Sequence, residues 1–356
     1  MRSPTIVWDA IGLSSKMAGI ERLVGAYTHA LARWSPDIVQ IALLEPDYEW
    51  LGSVHASVEQ RFARNLPGGV GIPRSVSSLH SGAYHSWGHS ALPALFPGRS
   101  VSVTIHDWTP FARVGLRLRH RIPWQVAIAT NLASAGTLHF TIPELTNTAP
   151  PWLQPFVARK SSVVGTLDVM GWTRESGNLG TSASGVGGPY ILTIGTLVGR
   201  KRLQDSRDLW NSPLFAGVPK LVFAGSGTEV LGASDRHVGL GYVSEEELMG
   251  LVNHASLLLT VSDQEGLNLP AREALSVGTK VLGTVGALGP LAGRPGVVCI
   301  GSLNWGQREE AARVLRLGID TAMAANAVAV TSPDGAGPDP LSAFLIGESH
   351  RLADRN

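Results

Sequence analysis

A two-domain α/β chain built on doubly wound parallel sheets is the fold class that the sequence predicts, from three observations. Short apolar runs rich in β-forming residues alternate with helical patterns, the order of a parallel sheet with crossover helices. Those runs are continuously apolar rather than alternating, as expected of strands covered on both faces. One Gly/Ser-rich stretch splits the alternation into two halves. The length of 356 residues agrees, because roughly 150 residues per domain allows two to three domains.

The apolar runs fall at 4–8, 38–44, 101–105 and 137–142, then at 190–194, 220–224, 257–261, 280–282 and 297–300. The clearest helix between them carries Ile20, Leu23, Val24, Tyr27, Leu31 and Trp34 at helical spacing, which builds one apolar face. The stretch 171–189, GWTRESGNLGTSASGVGGP, has almost no large apolar side chains and reads as a linker. A second loop at 331–340, TSPDGAGPDP, precedes an amphipathic stretch at 341–353. The expected organisation is a first domain over 1–170, the linker, a second domain over 190–340, and a terminal helix over 341–356 packing back on the first domain.

Composition narrows the function classes. Lys and Arg number 29 against 28 Asp and Glu, a net charge of +1, so no large positive field is available for a nucleic-acid backbone. Hydrophobic residues make up 44% and charged residues 16%, which suits buried cores and excludes global disorder. Cys299 is the single cysteine, so neither an intramolecular disulfide nor a CxxC metal site exists, and a reducing, cytoplasmic setting is expected. The start MRSPTIVWDAIG lacks the pattern of a leader peptide. The greasiest stretch, 255–261, is too short to cross a bilayer. Arg113, Arg117, Arg119, His120 and Arg121 near Trp124 suit a solvated helix face first, and peripheral contact with the inner face of a membrane second.

The most informative segment is SDQEGLNLPAREALSVGTKVL at 262–282. A strand leads into a Gly-containing turn, and Pro270 marks a helix start. Glu265 then lies in the loop and Glu273 in the first helical turn. A helix start offers unpaired N–H groups to an anionic ligand, and flanking carboxylates can accept hydrogen bonds from hydroxyls. By itself, a Glu in a first turn also merely complements the helix dipole. The second segment is YILTIGTLVGRKRL at 190–203, a strand, a turn with Gly195 and Thr196, and the cations Arg200, Lys201 and Arg202. Three cations there equally suit an exposed helix start.

In this register, 262–282 resembles the Glu-x7-Glu signature of glycosyltransferase family 4, with Ser262, Glu265, Gly266, Leu269, Pro270, Glu273, Ala274, Gly278 and Val281 matching. The resemblance implies the GT-B fold, two Rossmann-like domains facing a central cleft. It implies that Glu265 contacts hydroxyls of the donor sugar, that Glu273 holds the ribose diol, and that Gly266, Leu267, Asn268 and Leu269 line the donor. Val261 stands for the usual proline, and LNL stands for FGL, so Asn268 occupies a glycine position. The 190–203 segment resembles the family's I-L-x-V-G-x-L-x-x-R-K-N-L form, which makes Lys201 and Arg200 diphosphate ligands. Thr196 stands where another common form has arginine.

The remaining matches are shorter. MAGIERLV at 17–24 resembles a G-G-I-x-R loop whose backbone faces the diphosphate, with Gly19 and Arg22 matching and Ala18 replacing the first glycine. VSVTIHDWTPF at 101–111 resembles a V-T-x-H-D-x-x-P element that places His106 beside the donor sugar, followed by Asp107; alone, such an Asp equally caps a turn. AYHSWGHSALP at 83–93 carries His85 in an F-H-x-x-x-x-x-L-P-like element, TIPELT at 141–146 is similar to V-S-E-x-T, and LGYVSEEEL at 240–248 puts Tyr242 and Val243 where the base lies. Arg22, His85 and Asp107 are the acceptor-side candidates.

Other chemistries fit less well. His85 and His89 have helical metal spacing but no nearby Glu. AGSGTEV at 224–230 has Val230 where a dinucleotide fingerprint needs glycine. There is no Asp-x-Asp for a metal-bridged diphosphate. The expectation is a retaining, metal-independent transferase with no bound cofactor. It would move a hexosyl-type sugar from a nucleotide-diphosphate sugar to a hydroxyl acceptor: a glycan, a lipid-linked sugar or a natural product. A sugar-nucleotide epimerase, a sugar phosphorylase and a non-catalytic partner subunit on the same architecture are the alternatives, the last suggested by Ala18, Thr196 and Asn268.

Overall fold

The computed structural model describes residues 3–10, 18–44, 56–62, 82–87, 100–106, 108, 111, 118–165, 186–325 and 338–354. The chain forms two compact units, Met1–Val169 with Gly335–Asn356, and Met170–Asp334. Most of the Gly/Ser-rich stretch, and residues 331–337 of the second loop, lie outside the described residues.

In the first unit the elements run β1 (Thr5–Asp9), α1 (Ala18–Trp34), β2 (Val39–Leu44), β3 (Glu59–Phe62), β4 (Ala83–Ser86), β5 (Val101–Ile105), α2 (Leu118–Ser134), β6 (Thr137–Phe140), α3 (Glu144–Asn147), α4 (Gln154–Val157) and β7 (Ser161–Val164). Among the described residues the strands form one seven-stranded sheet, ordered β3-β2-β1-β4-β5-β6-β7, and every pairing is parallel. Strand order reverses between β1 and β4, where Trp8 pairs with Ala42 on one side and His85 on the other. The periodic residues Leu23, Val24, Tyr27 and Leu31 of α1 are fully buried, each adding roughly 1.5–3 kcal/mol for its removal from water.

The centre of this sheet also holds a polar chain. His85 Nδ1 lies 2.8 Å from Ser102 Oγ, His85 Nε2 lies 2.8 Å from Thr104 Oγ1, and Thr104 Oγ1 lies 2.9 Å from His139 Nδ1. His139 Nε2 faces the Gly165 carbonyl. A carbonyl only accepts, so Nε2 of His139 carries its proton and Nδ1 accepts from Thr104. Thr104 then accepts from His85 Nε2, and His85 Nδ1 accepts from Ser102. Both rings are neutral. Burial lowers His85 well below the usual histidine value, with His139 and His106 adding to the effect. Burial likewise brings His139 down to about 4, against opposing contributions from the Gly165 bond and Asp339.

The second unit runs β8 (Tyr190–Ile194), α5 (Leu203–Trp210), β9 (Lys220–Ala224), β10 (His237–Gly239), α6 (Glu245–His254), β11 (Leu257–Thr260), α7 (Leu269–Ser276), β12 (Val281–Thr284), α8 (Val285–Leu288), β13 (Val297–Ile300) and α9 (Arg308–Ala324). Its six strands are ordered β10-β9-β8-β11-β12-β13 and are likewise all parallel. Successive strand residues point to opposite faces, and both faces are covered. Ile191, Leu221, Phe223, Leu257 and Leu259 pack with Trp210, Phe215, Leu315 and Ile319. Tyr190, Leu192, Val222 and Leu258 pack on the other side with Val252, Ala271 and Ala274. This is the reason the strands read as unbroken apolar runs.

The last helix, α10 (Pro340–Asp354), belongs to the first unit. It packs on β1, β4, β7 and α1, with Leu341 and Leu345 fully buried. Asp339 caps it, accepting from the Leu341 N–H at 3.0 Å, and the Tyr27 hydroxyl donates to the same carboxylate at 3.1 Å. No helix among the described residues is long and apolar enough to cross a membrane.

Candidate functional site

In an open parallel sheet, ligands bind outside the carboxyl ends of the strands, where strand order reverses. In the second unit that point lies between β8 and β11, since the chain proceeds from β8 outward to β9 on one side and places β11 on the other. The two expected motifs are the loops that leave these adjacent strands.

After β8 the chain makes a tight turn. Gly195 accommodates the stem of Lys201, since a Cβ at Gly195 would stand only 3.3 Å from Lys201 Cδ and Cε. Gly225, at the end of β9, approaches so closely that a Cβ would lie 2.4 Å from the Gly195 carbonyl oxygen. A 3-10 turn, Gly199–Lys201, follows, and Arg202 starts α5 in the left-handed conformation, φ 56° and ψ 26°.

After β11 the chain passes Ser262 and Glu265 to Asn268, also left-handed at φ 45°. The Asn268 side-chain amide donates to Thr260 Oγ1 at 3.1 Å and to the Ala287 carbonyl at 2.8 Å. Asn268 therefore occupies the backbone conformation for which glycine is the ordinary choice, and its side chain pins the turn. The helix begins at Leu269, with Pro270 within its first turn and no acidic residue there. This corrects the expected position of Glu273, which lies one turn deeper in α7 and is fully buried.

The loops meet through charge. Lys201 Nζ lies 2.5 Å from Glu265 Oε1, and Arg200 Nη1 lies 3.2 Å from Glu265 Oε2. The pair is largely enclosed, with the Lys201 side chain 15% and the Glu265 side chain 9% exposed. Burial alone would raise the Glu265 carboxyl; Lys201 and Arg200, with hydrogen bonds from Lys201 and Ser262, outweigh it and hold the group below the usual carboxylate value. Main-chain bonds lock the arrangement. The Asp263 N–H donates to the Arg200 carbonyl at 2.8 Å, the Arg200 guanidinium donates to the Gln264 carbonyl at 3.1 Å, and the Glu265 N–H donates to the Gly286 carbonyl at 3.0 Å.

The rim of the same sheet edge is apolar. Val198, Val230, Tyr242 and Val285 follow β8, β9, β10 and β12 and are all exposed, Tyr242 by 70%. Val243, half-buried, precedes α6, whose Ser244–Glu247 capping box fixes its start. Thr196 is exposed, whereas Gly266 and Leu267 are half-buried and Leu269 is buried.

The first-unit candidates are placed differently. His106 follows β5, half-buried, its ring stacked on Trp87 at 6.0 Å. His85 is not at a surface: it is fully buried within β4, both ring nitrogens engaged by Ser102 and Thr104. Gly19 belongs to the first turn of α1 rather than to a loop, and Arg22 follows in the same helix. Arg119, His120, Arg121 and Trp124 lie in α2. Asp107, His89, Arg113 and Arg117 lie outside the described residues.

Two doubly wound parallel units of this kind define the GT-B fold. Solved structures share it over nearly the whole chain. Sucrose-phosphate synthase from Thermosynechococcus elongatus is 16% identical, with a TM-score of 0.61 over 99% of this chain and 94% of that one. The catalytic domain of starch synthase IV from Arabidopsis thaliana, bound to ADP and acarbose, is 11% identical, with a TM-score of 0.64 over 100% of both chains. HepE from Anabaena, in complex with UDP and glucose, is 12% identical, with a TM-score of 0.61 over 99% of both. No protein-family model and no curated protein sequence matches the chain.

Proposed function

We propose that the protein is a retaining, metal-independent glycosyltransferase of the family 4 type, moving a hexosyl-type sugar from a nucleotide-diphosphate donor to a hydroxyl acceptor. The observation that carries this reading is the meeting of Arg200 and Lys201 with Glu265 at the β8/β11 reversal point. Two cations suit a diphosphate, and the carboxylate beside them suits sugar hydroxyls. Binding of ADP and of UDP with glucose by two proteins of the same fold supports a nucleotide-sugar ligand.

In this reading the bond from the anomeric carbon to the diphosphate oxygen breaks, its electron pair leaving with the diphosphate. Lys201 and Arg200 stabilise that developing charge, as preorganised cations do in a water-poor site. The acceptor hydroxyl attacks on the face being vacated, and its proton passes to the departing phosphate oxygen. Glu265 orients the donor sugar, Tyr242 and Val243 flank the base, and His106 is the first-unit residue assigned to the donor sugar, whereas Glu273, fully buried in α7, is assigned no ligand contact. The glutamates are not assigned as a glycosidase-like acid and nucleophile.

A thermal-shift screen of nucleotide sugars tests the binding step, because a ligand of the folded state raises its melting temperature. Transfer is then tested by acceptor-dependent release of the nucleoside diphosphate, with and without a chelator. Release without any acceptor, or activity abolished by the chelator, counts against this mechanism.

A further inference from the structure

We propose that Arg202 is a positioning residue: clamped to Asp263 in a left-handed backbone conformation, it fastens the loop after β8 to the loop after β11 and so sets Lys201 against Glu265. The inference rests on the donor-site reading only for what Lys201 does, and not for how Lys201 is placed.

Among the described residues, Arg202 and Asn268 are the two non-glycine residues with positive φ, and they border the Lys201–Glu265 pair, one on each loop. Such conformations persist only where surrounding contacts over-determine them, and they cluster at functional sites. For Asn268 the cost is small, since asparagine enters this region readily. Arginine does not. In the I-L-x-V-G-x-L-x-x-R-K-N-L form asparagine stands at this position, and Arg202 departs from it.

The contacts of Arg202 supply the reason. Nε lies 2.8 Å from Asp263 Oδ1 and Nη1 lies 3.3 Å from Asp205 Oδ2, while the guanidinium sits 5.9 Å from the ring centroid of Trp305. The guanidinium is thus engaged by carboxylates other than Glu265. Arg200 is tied to the same loop through its carbonyl, bonded to the Asp263 N–H, and through its guanidinium, bonded to the Gln264 carbonyl. Both residues flanking Lys201 are therefore fixed to the segment that presents Glu265. A partly exposed ion pair adds little to stability, so the clamp is better explained by placement than by folding energy.

The test uses the full chain. Arg202→Gly keeps the left-handed backbone at no steric cost and removes the clamp, while Asp263→Asn is isosteric and leaves the backbone untouched. Lys201 acylation is followed by residue-resolved mass spectrometry with an amine-selective reagent, alongside affinity for UDP and ADP. Both variants are expected to be acylated at Lys201 several-fold faster than the native chain. They should also bind whichever diphosphate the native chain binds more weakly. Turnover should fall by up to about 100-fold, the size of effect that a displacement of about 1 Å can produce. The double variant should be no worse than Arg202→Gly alone, since the contact with Asp263 is already lost there. Native acylation rates and affinities in folded Arg202→Gly or Asp263→Asn overturn the proposal. If the native chain binds neither UDP nor ADP, the donor reading is the one in trouble, and the acylation rates still decide the clamp.

Discussion

Lys201 and Glu265 meet at 2.5 Å across the gap between two adjacent parallel strands, each presented by the loop that leaves its strand. Lys201→Ala removes the cation closest to the carboxylate. Turnover is expected to fall by about two to three orders of magnitude, the usual effect of losing one preorganised charge stabiliser, with Lys201→Arg recovering part of it. Steady-state kinetics with the donor found in the thermal-shift screen measure this, and unchanged activity in the alanine variant removes Lys201 from the mechanism.

The same pair makes stability depend on pH. The Glu265 carboxyl in the folded protein lies below its ordinary value of 4.5. Its contribution is therefore fully present above that value and is lost as pH falls through the lower, folded one. Denaturant unfolding between pH 3 and 7 should show an acid loss that Glu265→Gln makes shallower. An identical acid limb in the variant argues against the pairing.

His139 works in the opposite chemical sense with a similar outcome. It stays neutral in the folded state down to about 4, whereas an unfolded histidine takes up a proton near 6.5. The unfolded chain thus binds more protons between these values, and stability should decline across that window and level off below it. A ring-proton resonance of His139 that moves between pH 6 and 7 would contradict the buried chain from Ser102 to Gly165.

Asn268 separates backbone from side-chain effects. Asn268→Ala places a Cβ-bearing residue in the left-handed region, which costs about 1–2 kcal/mol, and removes two side-chain hydrogen bonds. Asn268→Gly removes the bonds alone. Glycine should therefore be the less destabilising of the two, and equilibrium unfolding that ranks alanine above glycine would show that the turn is not held as described.

Much of the fold was legible because burial on both faces leaves a plain mark. β8, β9 and β11 lie within unbroken apolar runs and were expected at nearly their observed bounds. β3, β4, β7 and β10 were not anticipated. β4 is the instructive case: it is central and wholly buried, yet it carries His85 and Ser86. His85 is satisfied sideways by Ser102 and Thr104, which no local hydropathy pattern reports. At the site, Lys201 and Glu265 stand out through spacing and family likeness, whereas the engagement of Arg202 with Asp263 and Trp305 depends on contacts between distant segments. The spacing from Pro270 puts Glu273 one turn too early, because α7 starts at Leu269, directly after the left-handed Asn268 and one residue before Pro270.

The return of the chain into the first unit through α10 has a practical consequence. The second unit is, by connectivity, an insert within the first, so trimming the C-terminus strips a packed helix from the sheet built by the opening residues. An autonomous first unit would therefore require splicing 1–169 directly to 335–356, whereas the second can be excised as one uninterrupted piece.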